Sequence, residues 1–201
     1  MDREKWDHWC ERGILGLVLS ALIFGPLAYG SVRIQEFVVL QALTCGVIFL
    51  WLLRLWSNPQ RTLFFPPICW AVIAFVGYAI YRHHTAPIEY LARLELIKVL
   101  VYAFLFFVIL NNLNRPETIQ IITLTLIALA FALSVFAIFQ FFTRYDIIWN
   151  MVKPPGYVTR GSGTFINPNH LAGFVEMILP LTLACALMSR FRHTTKIIIG
   201  Y

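Results

Sequence analysis

Residues 118–142 read Thr118-Ile-Gln-Ile-Ile-Thr-Leu-Thr-Leu-Ile-Ala-Leu-Ala-Phe-Ala-Leu-Ser-Val-Phe-Ala-Ile-Phe-Gln-Phe-Phe142 and contain no charged side chain. An apolar run of this length can cross the hydrocarbon core of a bilayer, which takes about 20 helical residues. Backbone groups in hydrocarbon must form their hydrogen bonds within the segment, so we expect a helix. The run is continuous and lacks the alternation that is typical of a membrane β-barrel strand.

Similar apolar runs lie on both sides of this segment and predict five further spans, at roughly 13–32, 37–56, 63–81, 94–113 and 168–189. Six spans of about 20 residues leave no room for a separate soluble domain. The expected fold class is therefore all-α: a polytopic transmembrane helical bundle that forms a single transmembrane domain over residues 1–201.

The composition agrees with a membrane protein and excludes several other classes. Hydrophobic residues make up 59% of the chain and charged residues 13%, whereas a soluble domain carries about 25% charged residues. This balance excludes a soluble enzyme, a disordered tail and a nucleic-acid-binding module. The net charge of +6 comes from basic residues scattered between apolar runs, which is typical of charges that flank membrane spans.

Apolar segments near the two ends of the chain bear on whether the chain is a fragment and whether its first helix is cleaved. A seventh apolar run begins at Ile197 and stops at Tyr201, so we expect this chain to be the N-terminal part of a longer protein. The first run could instead be a signal peptide, because Ala28-Tyr29-Gly30 loosely fits a cleavage site. Four acidic residues precede that run, where a signal peptide carries positive charge. We therefore expect a retained first helix.

The distribution of Lys and Arg predicts the orientation. With a cytoplasmic N-terminus, inside segments hold nine of these residues and outside segments hold seven. The bias agrees with the positive-inside rule. The long loop 143–167 then lies outside.

Other polar residues predict neither a metal site nor a cofactor. The four cysteines form no CxxC motif, and the His83-His84 pair has no third ligand nearby. Lys98 follows Glu95 by three residues, so the two can pair on one helix. Alternatively Lys98 extends to the outer interface, where it would be a second cationic candidate.

The end of the long outer loop combines three features of an anion site. Asn167 is a typical helix N-cap, and Pro168 suits the first helical position. Gly161-Ser162-Gly163 permits a turn that presents backbone amides. Arg160 precedes that turn and can bind phosphate in bidentate fashion. The sequence therefore predicts a phosphate-binding site at the outer face, with contact between Arg160 and ordinary lipid phosphates as the alternative.

The helix that follows carries polar residues along one face. Asn169, Gly173, Glu176 and Pro180 follow spacings of four, three and four. Glu176 would lie about 13 Å into the membrane, where a carboxylate usually faces a cavity or a partner. It either has a function in the membrane or bonds to a neighbouring helix. His170, in the first turn, either donates to a phosphate or is a plain interface residue.

The same loop carries a family resemblance. Arg160-x-x-Gly163-Thr-Phe-x-Asn167-Pro168-Asn169-x-x-Ala172, followed by Leu179-Pro180-Leu181, resembles the O-antigen ligase and polymerase superfamily of bacterial membrane proteins. The segment Phe24-Gly-Pro-Leu-Ala-Tyr-Gly-Ser31 resembles that family's opening span. The motif covers about 25 residues.

The resemblance implies a glycosyltransferase of the bacterial inner membrane, without a metal or other cofactor. Such a protein moves a glycan from undecaprenyl pyrophosphate to an acceptor at the periplasmic face. The acceptor is the lipid A–core of lipopolysaccharide, another repeat unit or a protein. Arg160 would hold the donor diphosphate, and the candidate donor site also includes Gly161, Gly163, Asn167, Asn169 and His170.

The family's acceptor-activating residues belong to a later periplasmic loop that nothing in this chain matches. The catalytic residues are therefore unknown: either this chain lacks the catalytic C-terminal half, or the protein does not work as the family's members do. An alternative class is a transporter or flippase for a lipid-linked or anionic substrate, since Glu176 and a helix-end anion site also suit transport.

Overall fold

The computed structural model describes residues 3–57 and 62–187, and within these ranges the chain is mainly helical. Two short strands, β1 (Ile147–Ile148) and β2 (Met151–Val152), pair antiparallel between the last two helices. The helices are α1 (Arg3–Leu27), α2 (Ile34–Ser57), α3 (Ile68–Thr85), α4 (Glu89–Asn112), α5 (Pro116–Thr143) and α6 (Pro168–Leu187). The predicted seventh run at 197–201 and the last two residues of the predicted sixth span lie outside the described residues.

Five of these helices are long and apolar enough to cross a membrane, namely α1, α2, α4, α5 and α6. The helical fold of a membrane protein is therefore confirmed, but the predicted count of six spans is not. The 18 residues of α3 include a basic last turn of Arg82, His83 and His84. These residues shorten the apolar stretch that α3 could place in hydrocarbon.

Several helix boundaries differ from the predicted ones, and those of α1 and α3 have local causes. The first helix begins at Arg3 rather than at 13, so its polar beginning is helical too. It ends at Leu27 rather than at 32, because positive φ angles at Tyr29, Gly30 and Ser31 cannot continue a right-handed helix. The third helix begins at Ile68 rather than at 63, since a proline disfavours helical geometry in the residue before it and the chain has Pro66-Pro67 there.

The chain divides into two compact units. Among the described residues, the first comprises 3–21, 41–57 and 62–118, and the second comprises 22–40 and 119–187. Large apolar side chains are exposed in both units, for example Trp70 and Phe75 in the first and Phe131 and Phe142 in the second. Exposed apolar surface of this extent is expected where lipid rather than water surrounds the helices.

A buried ion-pair cluster ties three helices together in the first unit. The Arg54 guanidinium, near the end of α2, contacts the carboxylates of Asp7 and Glu11 on α1 at 2.9 and 2.7 Å. It also donates to the Asn112 side chain on α4 at 3.0 Å. Arg115 reaches the other Glu11 oxygen at 3.0 Å. The polar beginning of α1 is therefore fixed by charge pairing.

A small apolar core holds the second unit together around the long loop. Leu133 and Ala137 on α5 are buried with Phe165 of the loop and Leu171 of α6. Leu27, at the end of α1, packs against this core. The loop end that carries the predicted site is therefore anchored by apolar contacts between α5 and α6.

Candidate functional site

The loop 144–167 is a folded structure. It begins with the β1–β2 hairpin, whose Ile148 is fully buried, and the Lys153 amide donates to the Asp146 carbonyl at 2.9 Å. Asp146 also accepts the Thr159 amide at its side chain, at 3.0 Å. These bonds fold the loop back on itself before it reaches the predicted anion site.

The loop is also fastened to the end of α1. The Trp149 indole donates to the Leu27 carbonyl at 2.8 Å, and the Thr164 hydroxyl donates to the Pro26 carbonyl at 2.6 Å. Carbonyls in the last turn of a helix have no partner within the helix. The loop therefore satisfies two backbone groups of α1 while it fixes its own position.

A buried polar group organises the turn around Arg160. Gln140, near the end of α5, accepts the Ser162 amide at 3.0 Å and donates to the Gly163 carbonyl at 2.9 Å. The Lys153 ammonium donates to the Gln140 side-chain oxygen at 3.2 Å and to the Arg160 carbonyl at 2.7 Å. The side chains of Gln140 and Lys153 thus replace the water that these backbone groups would otherwise need.

Burial lowers the pKa of Lys153 below its ordinary value of 10.5, and the negative charge of Asp146 opposes that shift. The residue is only 3% exposed. Neutral oxygens stabilise a buried ammonium less than water does, so the charged form is disfavoured. The loop therefore keeps a cation in its interior at a free-energy cost.

The glycines of the turn have a packing reason apart from any ligand. A Cβ atom at Gly161 would collide with the Ala137 carbonyl oxygen of α5, so the backbone there needs a residue without a side chain. Gly163 has a φ of +58°, which favours glycine. The expectation that this turn presents free amides is wrong for Ser162, because its amide is bound to Gln140.

The beginning of α6 follows the prediction. The helix starts at Pro168, and the Asn167 side chain accepts the Asn169 amide at 2.9 Å. The Asn167 carbonyl accepts the His170 amide at 3.0 Å. The predicted N-cap is therefore confirmed, and the cap occupies the Asn169 amide.

Arg160 lies over this helix start. Its guanidinium donates to the Asn169 side-chain oxygen at 3.3 Å, and both residues are exposed. His170 is exposed on the first turn as well. The groups available to an anion are therefore the Arg160 guanidinium and the side chains of Asn169 and His170, together with the positive end of α6.

Glu176 lies further along α6, on the exposed face that it shares with Asn169 and Pro180. Across the described ranges, no hydrogen bond or ion pair reaches its carboxylate. The predicted bond to a neighbouring helix is therefore not formed by the described part of the chain.

The other polar residues considered in the sequence analysis are Lys98 and the possible metal ligands. Lys98 contacts the Glu95 carboxylate at 2.6 Å, which confirms the predicted pairing at three residues' separation. No group of three or more His, Cys, Asp or Glu side chains that could hold a metal occurs among the residues for which the structure gives a placement.

Gln140 and Lys153 are the residues of this site that the sequence analysis missed. Gln140 interrupts a run of phenylalanines at 139–142, and a polar side chain in such a run usually has a buried partner. That signal points to Gln140. No comparable signal exists for Lys153, because a lysine in a loop is normally solvated.

Comparison of the chain with family models, curated protein sequences and solved structures returns no match.

Proposed function

We propose that this chain binds the diphosphate of a polyprenyl-pyrophosphate-linked glycan at Arg160, as the donor-binding part of a membrane glycan ligase or polymerase. It lies in the bacterial inner membrane with its N-terminus in the cytoplasm and the loop 144–167 in the periplasm. The acceptor is a lipid A–core, a glycan repeat unit or a protein. The family resemblance of the Arg160–Ala172 motif supports the reaction class.

The contact between Arg160 and Asn169 is the observation that carries the proposal. It brings a forked cationic donor to the exposed N-terminus of α6. A guanidinium has five N–H donors, and Asn169 accepts from one nitrogen only. The remaining donors can bind two phosphate oxygens side by side. The helix dipole adds to the attraction for an anion.

The hydrogen bonds that hold the loop in place favour a specific diphosphate site over nonspecific contact with lipid phosphates. Arg160 stands on a turn that Gln140 and Lys153 hold from the inside. A side chain on a fixed backbone loses less conformational entropy when it binds a ligand.

Glu176 favours a second candidate function. A carboxylate within a membrane helix usually faces a cavity or a partner and marks an ion or substrate pathway, and Glu176 bonds to none of the described residues. A transporter or flippase for a lipid-linked or anionic substrate would use Arg160 for the headgroup and Glu176 for ion coupling.

Binding of undecaprenyl pyrophosphate to the chain in detergent micelles tests the proposal. A charge-assisted hydrogen bond contributes about 1.5–3 kcal/mol, so Arg160→Ala should raise the Kd roughly tenfold to more than a hundredfold. Arg160→Lys keeps the charge without the fork and should restore binding only in part.

Arg144→Ala is the matched control. Arg144 is an exposed arginine of the same loop whose guanidinium lies over the Phe141 ring, and its removal should leave the Kd unchanged. The proposal fails if Arg160→Ala binds as tightly as the wild type. It also fails if excess phosphatidylglycerol displaces the diphosphate, because Arg160 would then bind ordinary lipid phosphates.

A topology experiment tests the orientation. A reporter that is active only in the cytoplasm, fused after residue 155, should give no signal. Strong activity there would place the Arg160 loop in the cytoplasm and remove the proposed periplasmic site.

A further inference from the structure

Lys153 brings a positive charge into the interior of the loop 144–167. Its ammonium donates to the Gln140 side-chain oxygen at 3.2 Å and to the Arg160 backbone carbonyl at 2.7 Å. Both acceptors are neutral. A buried cation between neutral oxygens is costly, and an apolar side chain of similar length would fill the same space at lower cost.

The contact with Arg160 has a geometric consequence for its side chain. The Arg160 carbonyl is held from the interior by Lys153, and its amide donates to the Tyr157 carbonyl at 3.3 Å. The preceding Thr159 has a φ of +70°, which sharply turns the backbone. With its peptide groups held in this way, Arg160 keeps its guanidinium on the exposed side, where it meets Asn169.

Gln140 holds the backbone of the residues that follow Arg160. It binds the Ser162 amide and the Gly163 carbonyl, and it is 1% exposed. The same Gln140 oxygen accepts from Lys153. The backbone from the Arg160 carbonyl to Gly163 is therefore bound by one lysine–glutamine pair that is anchored on α5.

We infer that Lys153 is a positioning residue for Arg160, which fixes the direction of the guanidinium toward the diphosphate by holding the Arg160 carbonyl. This inference rests on the proposed function, because it concerns the binding of a diphosphate at Arg160. Lys153 itself does not touch the ligand.

The test is a double-mutant cycle on the Kd for undecaprenyl pyrophosphate in micelles. Lys153→Met removes both donated hydrogen bonds while it keeps most of the side-chain length. Alone, it should raise the Kd about tenfold, which corresponds to ~1.4 kcal/mol. In the Arg160→Ala background it should change the Kd by less than about twofold, since residues that act as one unit are not additive.

The temperature of unfolding separates positioning from a merely structural role. Removal of a buried charge offsets the loss of its two hydrogen bonds, so Lys153→Met should unfold within a few degrees of the wild type. A general loss of structure would lower this temperature and the affinity together. If Lys153→Met folds poorly, Lys153→Leu replaces it in the cycle, because leucine also has no hydrogen-bond donor.

The two proposals fail in different ways. If Arg160→Ala weakens binding and Lys153→Met does not, the positioning role is wrong and the diphosphate site stands. The positioning role is also wrong if the two losses add fully, because Lys153 would then act independently of Arg160. If Arg160→Ala has no effect, the proposed function fails, and the positioning role fails with it.

Discussion

The Arg54 guanidinium lies 2.7 Å from the Glu11 carboxylate, and Arg54 is 1% exposed. A charge this deeply buried needs partners on several sides, and here Asp7 and Asn112 supply them together with Glu11. The cluster closes one end of the first unit, between α1, α2 and α4. Removal of Arg54 takes from the buried Glu11 carboxylate the closer of its two arginine partners.

Arg54→Leu should therefore destabilise the first unit strongly. Breaking a buried ion pair from one side costs about 3–5 kcal/mol. The free energy of unfolding is measured in mixed micelles whose detergent composition is varied. Arg12→Leu is the matched control, because Arg12 is an exposed arginine on α1 next to Glu11. Equal stability of the two variants would contradict the role of Arg54 in holding the helices together.

Gly161→Ala should destabilise the loop even without a ligand. The added methyl group would collide with the Ala137 carbonyl oxygen, and forced overpacking costs about 1–3 kcal/mol. The measurement is the unfolding temperature in micelles. Gly156→Ala, in the same loop, is the control, because a Cβ there meets nothing within 4 Å. Equal unfolding temperatures for the two variants would show that the loop does not pack on α5 as described.

The stability of the wild type should rise with pH in the alkaline range more than that of Lys153→Met. The pKa of Lys153 is lower in the folded chain than its ordinary value of 10.5. Between these two pKa values the unfolded chain binds more protons, so the free energy of unfolding increases with pH and levels off near 10.5. The measurement is the difference in unfolding temperature between the two proteins from pH 7 to 10. A constant difference would contradict a charged, buried Lys153.

Glu176→Gln and Glu176→Leu should both match or exceed the folded yield of the wild type. The described residues form no bond with this carboxylate, and a charge at membrane depth costs about 2.5–3.5 kcal/mol. Size-exclusion profiles of the detergent-solubilised chains measure the yield, with Met177→Leu on the adjacent exposed position as control. A selective loss of yield in Glu176→Leu would reveal a structural partner. Normal yield with altered substrate transport in Glu176→Gln would favour the transporter.

Much of the helical fold could be predicted because apolar length alone marks a membrane helix. The segment 118–142 became α5 with boundaries shifted by one or two residues. Asn167 and Pro168 correctly marked the start of α6 because capping is a local effect. The sequence predicts the start of α1 at residue 13 rather than at Arg3, since hydropathy does not detect a helical segment that is held by ion pairs.

The interior of the site could not be predicted because its contacts join distant residues. In the sequence, Arg54 is one more basic residue at the end of an apolar run, and its partners on α1 lie 43 and 47 residues away. Lys153 lies in a polar stretch where a solvated lysine is the ordinary case. Only the folded chain shows that Lys153 bonds to both Gln140 and the Arg160 carbonyl.

The hydrogen bonds from Trp149 and Thr164 to the last turn of α1 have a consequence for assembly. They span 122 and 138 residues of sequence. The ribosome therefore releases the first helix long before it has made the groups that bond to the last turn of that helix. During synthesis the Leu27 carbonyl has to wait for its donor until residue 149 has emerged, and the Pro26 carbonyl until residue 164 has emerged. The cap of the first helix thus forms late in translation, after the whole of the fifth helix has been synthesised.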